Sequence, residues 1–236
     1  MTAIDKLLSV ALDEVGYVEK RNANSLYDKT ANAGSANYTK YGYEMRNLYP
    51  STMDYPAPWC DCFVDWCFVK AFGADDAQKL LHKFDDYTIY SATYYKNNGE
   101  WHKTPKIGDQ IFFTDSSGTI CHTGIVYNVD NTYVYTVEGN TSSSNGVVAN
   151  GGCVAKKSYK LNYTRIAGYG RPNYNLIKDE RKALETGNDI VWELMNGKHK
   201  IEILDVNRAV KAVDKAKKNS DFLSLYWILY KLVNGN

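Results

Sequence analysis

No stretch of the chain approaches the roughly 20 consecutive apolar residues that a membrane-spanning helix requires, so no membrane segment is expected. Net charge is nearly absent too: 28 Lys and Arg against 27 Asp and Glu leave +1. Whole-chain electrostatics therefore give no argument for nucleic acid as a partner. The amino terminus lacks the pattern of an export signal, because Asp5 and Lys6 come early and Asp13 and Glu14 interrupt the run Leu7–Leu12. The expectation is a protein made in the cytoplasm with no signal peptide. Cysteine is scarce and odd in number, with Cys60, Cys62, Cys67, Cys121 and Cys153, which argues against a disulfide framework. Cys60, Cys62 and Cys67 lack the Cys-x2-Cys knuckle and no matching Cys/His pair follows, so no metal and no cofactor are expected.

What the sequence does have is tyrosine, 20 in 236 residues. Tyrosine-rich surfaces suit polar, carbohydrate-containing ligands, although tyrosine is also frequent in strands. The length fits one large domain, or a medium domain followed by a small module. Ile4, Leu7, Leu8, Ala11, Leu12 and Val15 form one stripe of a helix over 2–15, capped by Thr2 and stopped by Gly16. Residues 20–58 show little periodicity and read as a long loop, whose Tyr38, Tyr41, Tyr43, Tyr49 and Tyr55 could wall a substrate groove. Helices are expected at 60–72, near 75–82 and at 87–97.

From Gln110 the period changes to two. Strands are expected at Ile111–Phe113, Ile120–Val129, Tyr133–Gly139 and Ile166–Gly170, with weaker ones at Val147-Val148 and Val154–Lys156. Helices followed by a strand meander predict an α+β domain with an antiparallel sheet over residues 1–174. Residues 175–187 read as a linker, and 188–236 return to helical periodicity as a small all-α bundle.

Four residues stand out chemically. Pro56 and Pro58 keep the chain extended until Cys60, where the periodic helix begins. A cysteine at a helix N-terminus meets free N–H groups and the positive end of the dipole, which favour a thiolate nucleophile. Cys62 is a rival on paper, but it lies about 200° round the helix from Cys60. A cysteine nucleophile needs a base, and the base an orienting group. His122 lies in the alternating strand Ile120–Val126, with Gly124 on the same face leaving room for something to approach. Glu138 and Asn140, two apart on the next strand, share a face that carries a carboxylate and an amide, whereas Tyr133, Tyr135 and Val137 make the opposite face core-like.

Pro58-Trp59-Cys60-x-x-Phe63-Val64-x-Trp66, Gly108-Asp109-x-Ile111-x-Phe113, Cys121-His122-Thr123-Gly124-Ile125-Val126 and Glu138-Gly139-Asn140-Thr141 together resemble the CHAP (cysteine, histidine-dependent amidohydrolase/peptidase) domain. The resemblance implies a papain-like domain with Cys60 as nucleophile, His122 as general base, Glu138 orienting the histidine and Asn140 as a supporting polar group. It implies cleavage of an amide bond in bacterial peptidoglycan, by an N-acetylmuramoyl-L-alanine amidase or an endopeptidase, after release to the cell wall. Some phage members bind calcium in an Asp-rich loop before the cysteine; only Asp54 stands there in this chain, so calcium is not carried over. The helical tail resembles those of phage and gut-bacterial wall hydrolases. It suggests an endolysin whose residues 188–236 bind cell wall or form a homo-oligomer, with neither nucleic acid nor membrane as partner. The rival readings are a non-catalytic wall-binding or phage structural protein, a cysteine acyltransferase on the same fold, and a housekeeping bacterial hydrolase.

Overall fold

A computed structural model describes residues 2–144 and 146–177. Helix α1, Ala3–Asp13, begins with a capping box: Thr2 Oγ1 accepts from Asp5 N–H at 3.0 Å, and Asp5 Oδ2 accepts from Thr2 N–H at 2.8 Å. Its inner face buries Leu7 and Ala11. Past the helix, Gly16 takes a left-handed turn (φ 91°) and its N–H donates to Val154 O at 3.0 Å.

The segment expected as an unbroken loop contains a second helix, α2, Lys40–Leu48. Thr39 caps it, accepting from Gly42 N–H at 3.0 Å. This helix is short, polar on one side and interrupted by Gly42, whose missing Cβ lets the Tyr55 ring close in; a Cβ there would lie 2.8 Å from that ring. Tyr41 is fully buried and does not wall a groove. Its hydroxyl donates to Glu14 Oε2 at 2.7 Å, and its ring packs among Tyr17, Trp59, Phe63 and Trp66. Lys40 pairs with the same Glu14 at 2.7 Å. Tyr38 and Tyr43 meet Tyr55 edge-on at 5.5 and 5.9 Å, nearer the surface, and Tyr49 packs on Phe84 at 4.7 Å.

Helix α3, Cys60–Phe72, is the centre of the domain. Every residue from Cys60 to Phe68 is buried, and Gly73 (φ 79°) ends it. Helices α4, Ala74–Leu81, and α5, Thr88–Asn97, follow as expected.

The sheet has six antiparallel strands: β1 Trp101–His102, β2 Gln110–Thr114, β3 Ile120–Val129, β4 Tyr133–Thr141, β5 Cys153–Lys160 and β6 Ile166–Gly170. Their spatial order is β1-β6-β2-β3-β4-β5. β1, which is not among the expected strands, pairs with β6. Val147-Val148 is not a strand; it lies in the β4–β5 connection after Gly146 (φ 78°), and β5 is one continuous strand. Alternation gives the sheet two buried faces. Phe112, Ile125, Val137 and Val154 join the core that includes the helices. Ile111, Phe113, Val126, Val134, Tyr159 and Tyr169 form a second, smaller core. Tyr133 and Tyr135, expected in the core, are only half-buried, and Tyr135 donates its hydroxyl to Asp130 Oδ2 at 2.7 Å.

The domain continues past residue 174. A 3-10 turn at Tyr174–Leu176 sets Tyr174 against Phe68 and Phe72, and Ile177 is buried in the main core. The rest of the expected linker and the helical bundle at 188–236 lie outside the described residues. Among the described residues, no helix is long and apolar enough to cross a membrane.

Candidate active site

Cys60 occupies the first turn of α3. The preceding residue, Trp59, supplies no side-chain cap, so the first N–H groups of the helix are left without one. Trp59 is itself held rigidly: its indole N–H donates to Glu19 Oε2 at 2.9 Å, and its ring stacks on Tyr41 at 5.4 Å. Cys60 is 6% exposed, at the edge of the interior.

His122 is fully buried on β3, opposite Phe113 of β2, whose ring stacks on the imidazole at 6.0 Å. Its Nε2 is hydrogen-bonded to Glu138 Oε2 at 3.0 Å. That bond leaves Nδ1 as the nitrogen available to the thiol. Burial pushes the imidazole pKa down, but hydrogen bonding and charge from Cys60 and Glu138 outweigh it and raise the value to about 9. The Cys60 sulfur is thus near enough to act on the ring, yet buried Nδ1 makes no hydrogen bond of good geometry. The contact is poised rather than closed, as in many ligand-free catalytic dyads.

Glu138 is cradled on all sides. Oε1 accepts from Thr136 Oγ1 at 2.6 Å; Oε2 accepts from Tyr159 OH at 3.2 Å and Thr141 Oγ1 at 3.4 Å, besides His122. Gly124 provides the space, since a Cβ there would lie 2.5 Å from Glu138 Cγ. Thr136, Thr141, Tyr159 and Phe113 complete the site and did not emerge as site residues from the sequence. Thr136 shares strand parity with Glu138 and was within reach of the same reasoning. Tyr159 comes from β5 and carries no local signal.

Asn140 does not share a hydrogen-bonding partner with Glu138. The register of β4 against β5 shifts between Glu138 and Thr141, and Asn140 adopts φ 52°, so simple alternation fails there. Its Oδ1 accepts from Gly152 N–H at 3.3 Å, and its buried Nδ2 has no partner.

The other cysteines have different surroundings. Burial pushes the Cys62 and Cys67 thiols well up, which keeps them protonated inside the core. Cys153 donates its S–H to Thr141 O at 3.0 Å. Cys121 is half-buried beside His122, with Arg165 Nη2 3.9 Å from its sulfur. In the first turn of α3, Asp61 is fully buried, accepting from Ser91 Oγ at 2.6 Å and Gln110 Nε2 at 2.9 Å, and burial pushes its pKa up to about 7. Asp65 is buried nearby and raised for the same reason; one oxygen accepts from Asp85 N–H at 3.0 Å. Among the described residues, no group of three or more His, Cys, Asp or Glu could hold a metal ion. Asp54, the one acid in the stretch before Cys60 where some relatives of the resembled family carry a calcium loop, donates its N–H to Asp86 Oδ2 at 2.6 Å.

Residues 50–140 match the family described as the CHAP domain. No curated protein matches the chain. Among solved structures, the chain is similar to one described as "The crystal structure of Ly7917 with the hydrolyzing product of MDP", at 15% identity and a TM-score of 0.36. That similarity covers 72% of this chain and 62% of the other, so the chain spans less than two thirds of that protein.

Proposed function

With residues 50–140 forming a CHAP domain, we propose that this chain hydrolyses an amide bond of bacterial peptidoglycan through a cysteine acyl-enzyme. The observation that carries the reading is His122: one ring nitrogen is engaged by Glu138, the other is buried and unpartnered, and Cys60 acts on the same ring.

In the proposed reaction, the Cys60 proton resides on His122 Nδ1, and the thiolate sulfur attacks the amide carbonyl. The N–H groups at the head of α3 stabilise the oxyanion. The imidazolium then protonates the leaving amine, the C–N bond breaks, and a thioester remains on Cys60. His122 next takes a proton from water, whose oxygen attacks the thioester and frees the acid. Glu138 keeps the ring oriented and stabilises its charged form. Asn140 is the supporting polar group, buried beside Glu138 on β4, with its Nδ2 left without a hydrogen-bond partner. The thiolate of Cys60 leaves as the acid departs, and the proton taken from water stays on His122, which restores the starting pair. In this reading the enzyme is an N-acetylmuramoyl-L-alanine amidase or a peptidoglycan endopeptidase. Its place is lysis, as an endolysin, with residues 188–236 serving wall binding or self-association.

Purified Gram-positive peptidoglycan digested with wild-type protein and with Cys60→Ala, followed by mass spectrometry, tests the proposal. New amine ends with wild type alone are the expected result, and fragment masses separate amidase from endopeptidase. Equal release by both proteins, or none from several wall types, overturns it.

A further inference from the structure

Arg165 lies in the turn that leads into β6, at the His122 end of the sheet, where β2 pairs with both β3 and β6. It is fastened to Thr114 at the end of β2 by three hydrogen bonds, the longest from Thr114 Oγ1 to the Arg165 carbonyl at 3.5 Å. Its backbone carbonyl accepts from Thr114 N–H at 2.8 Å, and its Nε donates to Thr114 O at 2.6 Å. The guanidinium reaches Cys121, the residue before His122, with Nη2 3.9 Å from its sulfur. The Cys121 thiol lies within electrostatic reach of both Arg165 and Cys60.

This cation is half-buried and has no carboxylate at ion-pair distance among the described residues. Lys40 is paired with Glu14 at 2.7 Å and Arg171 with Asp109 at 2.8 Å, while the buried Lys20 and Lys157, which also lack a carboxylate at that distance, spend their ammonium groups on backbone carbonyls. Asp115 feels the Arg165 charge, but its Oδ1 is taken by Ser117 and Thr119. A guanidinium partly withdrawn from water, fixed through one nitrogen and left with most of its donors unspent, presents the fork that matches a carboxylate.

The geometry points to Arg165 as a specificity residue that takes a substrate carboxylate flanking the scissile amide, so that the chain favours the free acid over the corresponding carboxamide. The choice of amide substrate rests on the hydrolase reading above; the preference for a carboxylate rests on Arg165 alone. A fork bonding an anion discriminates against the neutral amide by roughly tenfold or more.

The test uses the full chain carrying Cys60→Ala, so that ligands are bound and not turned over. Two synthetic muropeptides serve as probes, identical except that the glutamyl carboxylate is free in one and a carboxamide in the other. Calorimetry is expected to show the free acid bound about tenfold more tightly. Adding Arg165→Gln is expected to erase the difference, and Arg165→Lys to restore part of it. Equal binding of the two probes, no binding of either, or a preference that survives Arg165→Gln with the variant's circular dichroism unchanged, overturns the assignment. Turnover of the same probes by wild type is read separately. A binding preference without cleavage would sink the hydrolase reading and leave Arg165 standing as a carboxylate site.

Discussion

Gly124 and Glu138 face each other across β3 and β4 with no room for one more carbon: a Cβ on Gly124 would sit 2.5 Å from Glu138 Cγ and 2.8 Å from Val137 O. The glycine is therefore the reason the carboxylate can lie flat enough to reach His122. Gly124→Ala must push Glu138 aside or part the strands, at about 1–3 kcal/mol of stability. Because the orienting carboxylate moves, peptidoglycan hydrolysis by the folded variant is expected to fall by about a hundredfold. Thermal unfolding and turnover measured together check this, and full activity would contradict it.

His122 sets a pH limit. Its folded-state pKa of about 9 lies above the ordinary 6.5. Protonation therefore favours the folded state; that contribution is fully present below pH 6.5 and is lost as pH rises through 9. Turnover that needs the imidazolium to protonate the leaving amine is expected to decline along a limb near pH 9. Glu138→Gln keeps an oxygen for Nε2 but removes the charge, so the limb is expected to move down by about one unit. A kcat/KM profile of both proteins decides it.

Tyr159 acts through Glu138. Its hydroxyl donates to Oε2, while its ring packs on Phe113 at 4.6 Å, which in turn lies on His122. Tyr159→Phe retains the ring and deletes the donor. Loss of one hydrogen bond to a buried carboxylate predicts a roughly tenfold fall in kcat, with the alkaline limb shifted because the carboxylate's environment changes. Unaltered kinetics would reduce Tyr159 to a packing residue.

Asp61 gives the opposite kind of prediction, one of stability. Its folded pKa of about 7 exceeds the ordinary 3.8. Its proton-linked stabilisation is fully present below pH 3.8 and is lost as pH rises through 7. Asp61→Asn can still accept from Gln110 and can donate to Ser91 Oγ. It is expected to raise stability at pH 8 by about 1 kcal/mol or more and to change little near pH 4. Denaturant unfolding at the two pH values checks the sign.

Cys62 separates nucleophile from neighbour. Cys62→Ala leaves the head of α3 intact and is expected to retain most activity, at a stability loss of about 1 kcal/mol. Cys60→Ala is expected to abolish activity with little change in stability. The reverse pattern would transfer the nucleophile's role to Cys62.

Much of this arrangement could be read from short-range pattern. The Thr2–Asp5 cap, the stop at Gly73, and the placing of His122, Gly124 and Glu138 follow from helical and strand periods acting over a few residues. What escaped depended on partners distant in sequence or on local breaks in the pattern. Tyr159 meets Glu138 from 21 positions away, and Glu19 meets Trp59 from 40. α2 carries too little periodicity to announce itself, and Tyr41 becomes core only because Glu14 accepts its hydroxyl. Asn140 departs from strand parity because the ladder slips beside it. Asp61 and Asp65 look like the wet side of a helix, yet α3 is buried all round from Cys60 to Phe68, both acids included.

The bond between Glu19 and Trp59 bears on where this protein can be cut. The segment that holds Glu19 is stitched to β5, with Val18 bridging Cys153, and Glu14 just before it anchors Lys40 and Tyr41. All of those tethers reach outside residues 50–140, the stretch that carries the family match. A gene fragment trimmed to that stretch would encode Cys60, His122 and Glu138 but neither Tyr159 nor the carboxylate that steadies Trp59. Fragments intended for domain shuffling should start ahead of Thr2 and run beyond Ile177, because the folding unit is wider than the motif it displays.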